Sequence, residues 1–155
     1  MSADFNAADA EPSSTEYSAA WVAYALQATG VFGFVLGPLI GLLISYVRRD
    51  AAGAGFIASH HRWLIRTFWW TLAWYLLCLA VIIGGAWPII SEVIREAIRT
   101  GGHAHEFSFG IAWEAIFATV GAAMAGGLGI VVVWVWNLYR IMRGGFRLAG
   151  RSAVP

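Results

Sequence analysis

The chain has 155 residues, of which 59% are hydrophobic and 12% charged, against roughly 25% charged in typical soluble proteins. A soluble globule of this size must cover its surface with polar groups, whereas a helical membrane protein leaves apolar side chains facing lipid without cost. The formal net charge is +1, and nucleic acid is not among the expected partners; the placement of the charges is more informative than their sum, because every basic residue is an arginine at the end of an apolar run. The composition predicts an all-α integral membrane protein.

The first sixteen residues carry Asp4, Asp9, Glu11 and Glu16 and no basic side chain, the opposite of the positive n-region of a secretory signal. Small, polar and acidic residues there bury too little apolar surface to offset ordering, so disorder is expected over 1–17. The domain is expected to occupy 18–148, with 149–155 a C-terminal tail.

The first apolar run, 19–47, exceeds the roughly 20 residues of a perpendicular span, which predicts one tilted or bent crossing. Gly37 and Pro38 are the expected bend, since proline removes a helix hydrogen bond. Trp21 and Tyr24 at one end and Tyr46 at the other suit an interfacial aromatic belt. A second span is predicted over 63–87, with Ser59 able to cap its start and Pro88 interrupting the pattern. Beyond it, Ile89, Ile90, Val93, Ile94, Ala97 and Ile98 recur at helical spacing between charges, which predicts a short amphipathic helix over 89–100 lying in the membrane interface. Gly101 and Gly102 end it, and a third span is predicted over 109–139, followed by a frayed basic end.

The link between the first two runs holds Arg48, Arg49, Arg62 and Arg66, whereas the next link offsets its two arginines with Glu92, Glu96 and Glu106. The positive-inside rule then sets the first link and the C-terminus in the cytoplasm and the acidic N-terminus outside, as three crossings require.

Gly33, Gly37 and Gly41 recur every fourth residue in the first run, as Gly121, Ala125 and Gly129 do in the third, with Ala122 and Gly126 on an adjacent track. Small residues at that spacing let helices approach closely in lipid. The two stripes are expected to pack on each other; a homodimer through one of them is the alternative.

Chemistry-bearing residues are few. His103, His105 and Glu106 form a His-x-His-Glu cluster with nitrogen and oxygen ligands for a metal at an outer surface, but two histidines in a loop after paired glycines lack a third spaced ligand, so a solvated loop is the reading, with no metal and no cofactor. Cys78 stands among leucines, an inert setting. Glu114 enters the start of the third run near the outer interface and is expected to pair with Arg95 or Arg99, the alternative being a proton or ion role. Gln27, Thr29, Thr67, Thr71 and Asn137 read as interhelical hydrogen bonders. With no nucleophile–base pair and no phosphate-cradling loop, enzymatic activity is not expected.

The most distinctive stretch is YVRRDAAGAGFIASHHRWLIRTFWW, from Tyr46 to Trp70. Arg48, Arg49, His61, Arg62 and Arg66, interleaved with Trp63, Trp69 and Trp70, suit anionic headgroups and an interfacial anchor, or a docking face for a protein partner. Arg62 and Arg66, one turn apart, share a helical face. With the ending YRIMRGGFRLAG, this stretch resembles a bacterial family of uncharacterised small inner-membrane proteins. In that family a Tyr-Val-Arg-Arg-Asp turn precedes a Ser-His-x-Arg-Trp-x-Ile-Arg-Thr-Phe-Trp helix start, and an Arg-Gly-x-x-Arg-Leu tail follows the last span. The matching positions are Tyr46 to Asp50, Ser59 to Trp69 and Tyr139 to Leu148. Such proteins are loosely grouped with the chloroplast inner-envelope import component. The resemblance implies a multi-pass bacterial inner-membrane protein with a cytoplasmic basic face and brings no catalytic residues. The expected function is a non-enzymatic accessory subunit that binds membrane lipids and a protein partner or a second copy. A small transporter, channel or translocation component, and an outer-face metal binder, are the alternatives.

Overall fold

A computed structural model describes residues 13–51, 55–99 and 112–154. Among the described residues the protein is all-helical, with no strand: α1 is Ser14–Thr29, α2 Leu36–Ala51, α3 Phe56–Arg99 and α4 Trp113–Ala149, and a 3₁₀ turn, Gly30–Phe32, follows α1. Helices α3 and α4, with 44 and 37 residues, are long and apolar enough to cross a membrane.

Helix α1 starts earlier than the sequence suggests. Ser13 Oγ accepts from the Glu16 amide and Glu16 Oε2 accepts from the Ser13 amide, both at 3.2 Å. This capping box satisfies two orphan donors of the first turn, so the chain from Ser14 to Tyr17 is helix rather than part of a disordered tail. The remainder of the expected tail lies outside the described residues.

The first apolar run is two helices, not one bent span. The Phe34 amide donates to the Thr29 carbonyl (3.3 Å) and the Gly33 amide to the Gly30 carbonyl (3.1 Å), the paired bonds of a Schellman motif. The left-handed residue this stop requires is Gly33, at φ 86°. Pro38 then falls in the first turn of α2, where a missing N–H costs nothing, so it helps to start a helix instead of bending one. At 16 residues each, α1 and α2 fall short of the roughly 20 that a crossing needs.

By contact the chain forms two compact units, one from α1, α2, α3 up to Leu72 and α4 from Trp134, the other from Ala73–Val133. In the first unit α1 and α2 form an antiparallel hairpin. Gly37 lies against Thr29 and Leu26, and one turn later Gly41 lies against Leu26, Gln27 and Ala23. A Cβ at Gly37 would sit 2.8 Å from the Leu26 carbonyl, and one at Gly41 3.0 Å from that of Ala23. The core of this unit gathers Ala20, Ala23 and Tyr24 of α1, Ile57, Trp63 and Leu64 of α3, Ile141 and Leu148 of α4, and Val154.

In the second unit α3 and α4 run antiparallel: Gly129 meets Cys78, Gly126 meets Ile82 and the Cys78 carbonyl, and Ala122 meets Gly85. Cys78 is buried. The expected pairing of the two glycine stripes is therefore corrected. Gly37 and Gly41 face α1, Gly33 forms the turn, and Gly121 and Ala125 are exposed; only Gly129 of the second stripe, joined by the adjacent Ala122–Gly126 track, meets a neighbour.

The break expected at Pro88 is absent, and α3 continues through it to Arg99, so residues 89–99 are the end of α3 and not a separate helix. Pro88 withholds its amide from the carbonyl one turn back and loosens that turn. Beside that turn, Thr119 of α4 donates to the Gly85 carbonyl at 3.0 Å and Ser91 to that of Pro88 at 2.9 Å. Arg95 pairs with Glu92 at 2.7 Å and Arg99 with Glu96, both one turn apart on α3. Glu114 is exposed in the first turn of α4, where the helix dipole favours an acid; neither arginine's partner is the one expected.

Candidate functional site

The start of α3 carries two faces. Ile57, His60, His61, Leu64, Thr67 and Thr71, at helical spacing, are buried, while Arg62, Arg66, Trp69 and Trp70 are exposed. The expected lipid-facing set divides accordingly. His61 and Trp63 turn inward, at 1% and 8% exposure; the four others on α3 face outward. On α2, Arg48 is half-buried, and the Arg49 guanidinium stacks 5.3 Å from the Tyr46 ring. Tyr46 ties α2 to α3 by accepting from Trp69 Nε1 at 3.0 Å.

Tyr24 is buried rather than belted at an interface. Its hydroxyl lies 2.9 Å from Nδ1 of His60, whose Nε2 lies 3.0 Å from the Ser152 carbonyl. A carbonyl only accepts, so Nε2 donates to it, and in the neutral ring Nδ1 then accepts the hydrogen bond from the tyrosine hydroxyl. The last residues thus form a strap, not a frayed end. Arg151 turns the chain at φ 50°, Arg147 Nη1 donates to the Ala153 carbonyl at 3.0 Å, and the Val154 amide donates to Ser59 Oγ at 3.1 Å.

Beneath this lies a second polar layer. The Arg140 guanidinium stands 3.8 Å from the Trp63 ring centroid and 4.9 Å from that of Trp136, and its Nε donates to Thr67 Oγ1 at 3.1 Å. Cation–π contact of this closeness suits a desolvated arginine. Thr71 donates to Asn137 at 3.2 Å, the interhelical bond expected of those residues, whereas Thr29 bonds within its own helix to Leu26. Gln27 Oε1, both ring nitrogens of His61, Trp63 Nε1 and one Arg140 Nη are buried without a hydrogen-bond partner among the described residues.

Between the exposed face and the strap, an open groove of about 350 Å³ is lined by Ser59, Arg62, Trp63, Arg66 and Val154. Arg66 also places its guanidinium 5.5 Å from the Trp63 ring. Two guanidiniums one turn apart over an indole wall present the donors that planar or tetrahedral oxyanions accept bidentately.

Sequence reasoning singled out Arg62 and Arg66, which the structure brings together at the groove, and passed over Tyr24, Arg140 and the strap. The signal available for Tyr24 was its spacing, four residues from Ala20 and three from Gln27, along a run of small residues; for the strap there was none. No group of three or more His, Cys, Asp or Glu able to hold a metal occurs among the described residues; His103, His105 and Glu106 lie outside them. No protein family, curated protein or solved structure matches the chain. What the fold defines is a class: an all-helical protein with two helices long and apolar enough to cross a membrane.

Proposed function

We propose that this chain is a non-enzymatic, multi-pass protein of the bacterial inner membrane, an accessory subunit that holds anionic phosphate headgroups and docks a partner through its cytoplasmic arginine–tryptophan face. The observation that carries this reading is the groove under Arg62 and Arg66. Its arginines stand at one end of an apolar helix, where headgroups lie, and Trp69 and Trp70 are exposed one to two turns further on, at the level where indoles anchor. Each arginine near an anionic surface contributes about 1 kcal/mol. Glu114, exposed in the first turn of α4, lends no support to the transport reading.

The test is affinity purification from native membranes in mild detergent. A discrete partner or a second copy is expected to travel with the wild-type chain and to be lost from Arg62→Ala/Arg66→Ala. A wild-type chain that purifies as a clean monomer, with nothing lost on substitution, contradicts the docking role.

A further inference from the structure

We propose that α1 and α2 form a re-entrant hairpin, entering and leaving the bilayer through the same face with its tip among the acyl chains of one leaflet. Phe32, Phe34, Val35 and Leu36 at the tip are 68–80% exposed, and the outward side of α2 continues apolar through Leu43 and Val47. Water would penalise so large a contiguous apolar patch, and acyl chains do not.

The charges fix the depth. No residue from 17 to 47 is charged, and Glu16 and Arg48 bracket the stretch. The antiparallel register set by Gly37 on Leu26 and Gly41 on Ala23, continued outward, brings Glu16 and Arg48 to the same open end. From Leu36 to Arg48 the helix rises roughly 18 Å at about 1.5 Å per residue, a little over half of a hydrocarbon core of about 30 Å. With Arg48 among headgroups, the tip reaches the middle of the bilayer and no farther.

A turn at that depth must satisfy its own backbone. Here the Thr29 and Gly30 carbonyls are taken by the Phe34 and Gly33 amides, and the Val31 carbonyl accepts from Trp134 Nε1 of α4 at 2.8 Å. That last bond seats the tip against a helix apolar enough to cross, which is why lipid is the occupant. At the open end the Tyr17 hydroxyl donates to the Leu148 carbonyl at 3.4 Å. Both ends of the described chain therefore share one face of the membrane, with two crossings and a half-deep loop where the sequence suggested three crossings and opposite termini. The inference does not depend on what the arginine groove binds.

Single-cysteine variants on a Cys78→Ala background in sealed, reconstituted vesicles test it. Thr15→Cys and Ala153→Cys are expected to react with a membrane-impermeant maleimide from the same side. A spin label on Phe34→Cys is expected to relax strongly with oxygen and weakly with an aqueous nickel chelate. Labelling of Thr15→Cys and Ala153→Cys from opposite sides overturns the hairpin. A tip label relaxed by the nickel chelate, which means water, or by neither reagent, which means cover by protein such as a second copy, overturns the lipid occupant.

Discussion

The Tyr24 hydroxyl donates to Nδ1 of His60 across 2.9 Å, and the two rings meet edge to face with centroids 5.8 Å apart. This one contact fastens the hairpin to the start of α3, and through the other ring nitrogen of His60 it fastens the strap as well. Tyr24→Phe keeps the ring and deletes the donor, leaving a buried acceptor unsatisfied. The expected loss is about 1–3 kcal/mol of unfolding free energy, read by denaturant titration in detergent micelles.

Deleting residues 152–155 removes the Ser152 carbonyl from His60 and the Val154 amide from Ser59. The hydrogen bonds at His60, Ser59 and Arg147 and a buried valine are lost together, so the expected destabilisation is at least that of Tyr24→Phe, on the order of 2–4 kcal/mol. The same titration reads it. Combined with Tyr24→Phe, the deletion is expected to cost less than the sum, because both act on one imidazole.

Glycines at contacts and glycines beside open space should respond oppositely. A Cβ at Gly41 meets the Ala23 carbonyl at 3.0 Å, whereas one at Gly127 meets nothing within 4 Å. Gly41→Leu is expected to destabilise by about 1–3 kcal/mol through overpacking, and Gly127→Leu to leave stability unchanged or raised, since leucine is the better helix former. Thermal unfolding of the two variants side by side decides this.

Thr119→Val keeps the shape of the side chain and removes the donor to the Gly85 carbonyl. About 1 kcal/mol is expected to be lost. Hydrogen exchange of amides around Gly85 reports it.

Much of the helical content was legible because long apolar helices announce themselves by length and hydropathy. Both long helices were located from apolar runs such as those around Leu76 and Val132, although α3 was drawn short at both ends and α4 at its C-terminal end. Termini were missed where hydrogen bonding or helix continuity outranks the local signal: the Ser13–Glu16 box extends α1 backward, and α3 runs on past Pro88. The first run was misread because hydropathy does not distinguish a long span from two short helices folded back. Only the left-handed Gly33, one glycine among several, makes that difference. Within the candidate site, Arg62 and Arg66 were legible from their one-turn spacing. His61 and Trp63 share that stretch of sequence, but helix phase against α1 and α4 buries them. Arg140 was passed over as a basic end, because the Trp63 ring closest to it comes from a distant part of the chain, and Trp136 one turn away on α4 does not by itself mark an enclosed arginine.

The central claim is that Arg62 and Arg66 hold a phosphate headgroup in the groove they line. Native mass spectrometry of delipidated protein titrated with phosphatidylglycerol, against phosphatidylcholine as the zwitterionic control, tests it most directly. Retention of the anionic lipid is expected to weaken on the order of 30-fold in Arg62→Ala/Arg66→Ala, from about 1 kcal/mol per arginine, with phosphatidylcholine retention unchanged. Equal retention of phosphatidylglycerol by the wild-type chain and the double variant would contradict the account.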